Sequence, residues 1–223
     1  MGYSVGFQSS LKIVGMAIAV AVLVVGCGAS GSATAGEEQG SDISGEWVSL
    51  PGTWAVLWGE GERGVVLAHG AAYDAAGWES QGQTLGENGA AALAVEDTSP
   101  SNLRTAIRYL KEESGVESVA LIGASAGARP VLEVGEEDPE KIDQIILLSG
   151  IGDVSGLGEY PKLFVASEGE EIAERVRQMA DEASGDRNEA LILSGDAHAQ
   201  AIFQTEEGER LMQVILERIE EYG

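Results

Sequence analysis

The chain has 223 residues, 44% of them hydrophobic, which is enough for one sizeable core and short for two. Its 37 acidic and 13 basic residues give a formal net charge of −24. That balance excludes a nucleic-acid binder, which needs a basic stripe, and it repels anionic surfaces. Two Glu-rich stretches, residues 136–140 and 168–171, carry part of the charge and read as solvated surface.

The first element in chain order is separate from any globular core. Residues 13–26 form an unbroken run of apolar and glycine residues behind the single Lys12. The run falls short of the about 20 apolar residues that span a bilayer. It fits the hydrophobic stretch of a secretory signal. It ends Leu23-Val24-Val25-Gly26-Cys27, and Cys27 is the only cysteine in the chain. An aliphatic residue, a small residue and then cysteine resembles the bacterial lipoprotein signal. That resemblance implies that residues 1–26 are a signal peptide, cut after Gly26, and that Cys27 is lipidated. It further implies an exported protein, lipid-anchored to the extracytoplasmic face of a bacterial membrane. With one cysteine there is no internal disulfide, so the folded part stands on packing. Residues 27–45 complete this region. From Gly28 onward they are rich in Gly, Ser, Ala and Glu, lack hydrophobic periodicity and read as a flexible tether. About 18 such residues span roughly 20–25 Å.

A folded domain is expected over residues 46–223. Short β-rich runs come first, at 47–50, 54–58 and 64–68, punctuated by Pro51-Gly52 and Gly59-Glu60-Gly61. A helix over 78–85 and a strand over 91–95 follow. The next helix spans 101–113, with Ser101 as its N-cap and Leu103, Ala106, Ile107 and Leu110 on one face. A strand over 117–122 leads to a helix over 126–134, with Pro130 early enough to be tolerated. The apolar runs 145–148, 163–166 and 190–193 read as strands buried on both faces. Helices over 172–183 and 209–221 separate or follow them. A hairpin region followed by alternating strands and helices implies an α/β three-layer sandwich around a mostly parallel sheet of up to eight strands. Sites in such sheets lie beyond the carboxyl ends of the strands. Candidate chemical residues should therefore follow strands.

Gly123-Ala124-Ser125-Ala126-Gly127 has the form G-x-S-x-G. In a chain with 31 glycines the match alone is weak. Its setting, a strand before and a helix after, is that of a nucleophile on a sharp turn. A serine hydroxyl needs a base, and His69 and His198 are the only histidines. His198, in Gly195-Asp196-Ala197-His198 after the last strand, is the expected base. The base needs an acid to orient it. Glu168, Glu170 and Glu171 follow the strand 163–166 and lie between Ser125 and His198 in the chain. Glu170 is our choice, with Glu168, Glu171 and Asp153 left open. His69-Gly70 follows the strand 64–68, the position of a loop that supplies an oxyanion-hole N–H. The expected donors are the backbone N–H groups of Ala71 and Ala126, with His69 and Gly70 supporting the loop. A base role for His69 is the second reading. Tyr73, Asp74 and Trp78 are candidates for the pocket wall. No metal-ligand spacing or phosphate loop competes, so no metal or cofactor is expected.

Together, His69-Gly70, Gly-Ala-Ser-Ala-Gly, the acid after Leu163-Phe164-Val165-Ala166-Ser167, and Gly-Asp-Ala-His resemble the α/β-hydrolase superfamily over residues 47–223. Within it the chain looks most like small bacterial esterases and dienelactone hydrolases. It departs from the latter in having Ser125 where they have cysteine, and from the commoner Asp in offering Glu as acid. The resemblance implies a serine hydrolase that cleaves small-molecule carboxylic esters through an acyl-enzyme on Ser125. The same triad serves amides, so an amidase or peptidase stays open. A catalytically silent binding lipoprotein on the same fold is the non-enzymatic alternative. Many members insert a lid between their sixth and seventh strands. Residues 150–161 leave no room for one, which implies no lid domain, an open site and a small or exposed acyl group.

Overall fold

Alternation along two neighbouring strands sets the layers. In β3 (Arg63–Ala68), Val66 and Ala68 point into one apolar cluster while Val65 and Leu67 point into another. In β5 (Ser118–Ala124), Val119 and Leu121 join the first cluster while Ala120, Ile122 and Ala124 join the second. A strand with two buried faces needs a cover on each side. The structure, a computed structural model, describes residues 43–223. The expected signal peptide, Cys27 and the tether up to residue 42 lie outside the described residues.

The sheet has eight strands in the order β1-β2-β4-β3-β5-β6-β7-β8. The others are β1 (Glu46–Leu50), β2 (Thr53–Trp58), β4 (Ala90–Val95), β6 (Gln144–Leu148), β7 (Lys162–Ser167) and β8 (Asn188–Leu193). β1 and β2 pair antiparallel, as do β2 and β4, and every pairing from β4 to β8 is parallel. Helices α1 (Glu79–Glu87) and α5 (Gly208–Tyr222) cover one face, through Leu85, Leu211, Ile215 and Ile219. The other face is covered by α2 (Pro100–Glu113), α3 (Ala128–Glu137) and α4 (Ala173–Glu182). This is the expected three-layer α/β sandwich, with all eight strands present.

The strand order places the site. From β3 the chain passes through α1 to β4 on one side. From β4 it passes through α2 across β3 to β5 on the other side. Connections that leave neighbouring strands in opposite directions open a crevice at their carboxyl ends. Here that crevice lies above Ala68 of β3 and Ala124 of β5.

Most element ends shift by one to three residues from the sequence reading, and three of the differences have a visible cause. Helix α2 starts at Pro100, so Ser99 occupies the N-cap position instead of Ser101. Proline suits a first helical position, having a fixed φ and no N–H to satisfy. Ser99 Oγ bonds Ser101 Oγ at 3.2 Å instead of capping the backbone. Strand β5 runs on to Ala124, because Gly123 still pairs with Ala68 and Ala124 with Leu148. The helix expected from residue 78 is preceded by a 3₁₀ turn, Ala75–Trp78.

No helix crosses between β6 and β7, and no lid stands there; residues 149–161 connect the two strands directly. Lys162 pins this connector from below. Its side chain is fully buried, and Nζ donates to the carbonyls of Gly158, Tyr160 and Ser184 at 2.7 Å each.

Candidate active site

The turn after β5 is sterically compressed. A Cβ on Gly123 would lie 2.8 Å from Gly127 O, and one on Gly127 would lie 2.4 Å from Ala68 O. Both are closer than real Cβ atoms come, so β3, β5 and the start of α3 meet only because these two residues are glycine. Between them Ser125 has φ 48°, in the left-handed region that costs a non-glycine residue about 1–3 kcal/mol. It opens a 3₁₀ turn, Ser125–Gly127, that runs directly into α3.

His198 reaches this serine from the loop after β8. Its Nε2 lies 2.7 Å from Ser125 Oγ and its Nδ1 lies 2.6 Å from Glu170 Oε1. An ionised carboxylate only accepts, so Nδ1 carries the proton and Nε2 is left to accept from the serine hydroxyl. The Glu170 side chain is 8% exposed, whereas that of His198 is 55% exposed. The carboxylate is therefore shielded from water while the imidazole stays open to it.

Three donors fix the carboxylate. Besides His198, Glu170 Oε2 accepts from Ser149 Oγ at 2.7 Å and from Ser167 N at 2.8 Å. Ser149 Oγ in turn accepts the Ala199 N–H at 2.8 Å. Ser167 Oγ donates to Ala197 O at 2.6 Å, tying the Glu170 loop to the His198 loop. Glu168 and Glu171 are exposed and make no bond to His198. Asp153 binds Ser155, through N at 3.0 Å and Oγ at 2.8 Å, and those bonds hold its carboxyl below the usual range.

The loop after β3 lies against Ser125, since a Cβ on Gly70 would sit 3.4 Å from Ser125 Cβ. The Gly70 N–H is taken by Gln200 Oε1 at 2.8 Å. The next N–H, that of exposed Ala71, has no acceptor among the described residues. The Ala126 N–H is an orphan donor by position, at the start of a helical segment. His69 braces this loop, with Nδ1 2.9 Å from Gly70 O and Nε2 3.1 Å from Glu96 O, and its ring does not bond Ser125.

Trp78 does not wall the pocket. It is 1% exposed, packed edge-on to Phe203 beneath the loop. Asp74 caps the 3₁₀ turn through Gly77 N at 2.9 Å, a local bond that its short side chain favours. Tyr73 is half-buried and donates its N–H to Gly70 O at 3.0 Å. A hollow of about 360 Å³ opens beside Ala126, between residues 97–100 and the α3 side chains Arg129, Pro130 and Glu133. A larger one, about 460 Å³ near Ser44 and Trp58, contains none of the residues above.

No protein-family model matches the sequence, and no curated protein matches it. Solved structures do. An esterase from the bacterial hormone-sensitive lipase family aligns with a TM-score of 0.68 at 15% identity, over 82% of this chain and 85% of its own. The fold is that of the α/β-hydrolases. A monoacylglycerol lipase from Paleococcus ferrophilus aligns at 0.60 and 17% identity, over 75% of this chain and 98% of its own. A dienelactone hydrolase from Anabaena variabilis aligns at 0.60 and 17%, over 80% and 96%. At such identities the likeness is one of fold, and function has to be argued from the site.

In this α/β-hydrolase fold Ser125 follows β5, Glu170 follows β7 and His198 follows β8, the chain order that the superfamily uses for nucleophile, acid and base. Sequence reasoning missed Ser149, Ser167 and Gln200. Each is a buried polar residue serving the loops, 4%, 0% and 3% exposed respectively. For Ser149 and Ser167 a signal existed: a lone polar residue ending an apolar strand run.

Proposed function

We propose that the protein is an exported, membrane-anchored serine hydrolase that cleaves small carboxylic esters through an acyl-enzyme on Ser125. The observation that carries this reading is the continuous chain of bonds from Glu170 through His198 to Ser125. Ser125 Oγ attacks the carbonyl carbon as its proton moves to His198 Nε2. The oxyanion that forms lies between the N–H groups of Ala71 and Ala126. Two such fixed donors favour the transition state over the ground state, and losing one typically costs about 3–4 kcal/mol. The C–O bond to the alcohol then breaks, and His198 returns the proton to the leaving oxygen. Water repeats the sequence on the acyl-enzyme and frees the acid. Glu170 holds the Nδ1–H tautomer and stabilises the imidazolium. Esterase and lipase neighbours of the same fold support an ester over an amide substrate.

The anchor rests on residues 13–27 of the sequence. The test has two arms. Purified protein is given p-nitrophenyl acetate and a fluorophosphonate probe, and turnover and labelling are expected for wild type and absent in S125A. Cells expressing the chain are fed an alkyne fatty acid, and labelling is expected for wild type and absent in C27A. Wild type that neither turns over esters nor labels at Ser125 ends the hydrolase reading. Equal fatty-acid labelling of C27A ends the anchor.

A further inference from the structure

We infer that Ser149 is a positioning residue of this site, whose hydroxyl aims the Glu170 carboxylate and fixes the loop that carries His198. The inference rests on the serine-hydrolase reading above and adds a residue to it. Ser149 stands directly after β6, between the strands that bear Ser125 and Glu170. Its backbone N–H is held by Val165 O at 2.8 Å.

The direction of each bond follows from the partners. Glu170 Oε2 only accepts, so Ser149 must donate to it at 2.7 Å. A hydroxyl has one proton, so the Ala199 N–H, 2.8 Å away, meets a lone pair of the same oxygen. One atom therefore links the acid to the residue that follows the base. With Oε2 held by Ser149 and Ser167 N, the carboxylate cannot turn about its last torsion, and Oε1 stays aimed at His198 Nδ1. Ser149 is 4% exposed, so water does not compete for these bonds.

Backbone strain points to the same place. Among the described residues three non-glycine residues have positive φ: Ser125 at 48°, Ser149 at 48° and Ala199 at 51°. All three belong to this one network. Strained residues persist where the surroundings over-determine them, and they cluster at functional sites. Glycine would take the conformation at position 149 more easily. What serine adds there is the hydroxyl.

S149A and S149G in the full-length protein separate the hydroxyl from the fold. S149A keeps the strain and loses both bonds; S149G loses both bonds and relieves the strain. Both are expected to lower kcat on p-nitrophenyl acetate by about tenfold to a hundredfold, the scale of a misplaced catalytic group. KM is expected to stay within about twofold, because no ground-state contact is lost. S149G should melt higher than S149A while being equally slow. The downfield proton resonance of His198 Nδ1–H should shift or broaden in both. The role is overturned if both variants keep kcat within about twofold of wild type and leave that resonance in place. The resonance needs no turnover. A wild type inactive on every ester would sink the hydrolase reading, while the spectra would still decide whether Ser149 orders the Glu170–His198 pair.

Discussion

Gln200 Oε1 accepts the Gly70 N–H at 2.8 Å across 130 residues of sequence. Its Nε2 donates to Gly77 O at 3.3 Å. The loop that carries His198 thereby also holds the loop that presents the Ala71 N–H. Q200A would leave a buried N–H unpaired, which costs about 1–3 kcal/mol of stability, and would let the oxyanion donor drift. We expect kcat to fall about tenfold to a hundredfold with KM little changed. Q200E keeps the acceptor for Gly70 N but sets a buried carboxyl oxygen against Gly77 O, so it should retain activity only to the extent that the carboxyl stays protonated and donates there. A Q200A that keeps kcat within about twofold of wild type would show that the Gly70 bond is not what matters.

Among the four candidate acids only Glu170 contacts the histidine. E170Q turns one oxygen into a donor and favours the wrong tautomer of His198. It should lower kcat by about 10³–10⁴, the scale seen when such an acid becomes an amide. E168Q, E171Q and D153N should each stay within about twofold, since their side chains lie outside the relay. Steady-state kinetics of the four variants checks this. A large loss in E168Q or E171Q with an active E170Q would reassign the acid.

The strain at Ser125 is itself measurable. S125A removes the hydroxyl but keeps a Cβ at φ 48°, while S125G removes both. Both should be inactive, and S125G should be the more stable by about 1 kcal/mol, read as a difference in melting temperature of a few degrees. G127A should be strongly destabilised, because its Cβ would lie 2.4 Å from Ala68 O. A soluble G127A that melts like wild type would contradict the compression.

The strands were legible because their side chains obey a simple burial rule. Runs such as 145–148 and 163–166 are apolar throughout, and both faces of those strands are covered. Ser125 was legible from two flanking glycines in a recurrent turn pattern, although Gly127 is needed for its close approach to Ala68 O on a distant strand. Two histidines made His198 nearly forced. The choice among Glu168, Glu170 and Glu171 was not readable by periodicity. It depends on a turn in which Glu170 N bonds Ser167 O at 3.1 Å, folding the Glu170 side chain back over the strand end. Gln200 was hidden for a similar reason: its partner Gly70 comes near only through the order of the strands.

At the far end of the helix that follows Ser125, Asp138 joins α3 to α2. It accepts from Lys141 Nζ and, at 2.6 Å, from Arg104 Nε. The Lys141 ammonium and the Arg104 guanidinium hold its carboxyl below the ordinary 3.8. The unfolded chain therefore takes up the proton first as pH falls. The stabilising contribution is complete above about pH 4 and is lost as pH drops through the lower, folded-state value. D138N should melt a few degrees below wild type at neutral pH, and the gap should narrow steadily below pH ~4. Melting curves across that range test it, and a gap that stays constant would assign the loss to something other than this ion pair.

Acyl length should be read by the hollow beside Ala126. Its charged groups are Asp97, Arg129 and Glu133, its hydroxyls Thr98 and Ser99, and no large aliphatic or aromatic side chain lines it. A methylene group gains about 0.8 kcal/mol on burial only where an apolar wall takes it out of water. Lengthening the acyl chain therefore adds bulk without adding such contact. For p-nitrophenyl esters, kcat/KM should be highest for acetate and butyrate and at least about tenfold lower for laurate, a difference of about 1.4 kcal/mol in transition-state binding. Values that climb with chain length through octanoate would mean that an apolar channel forms when substrate binds, and the open site would have to be abandoned.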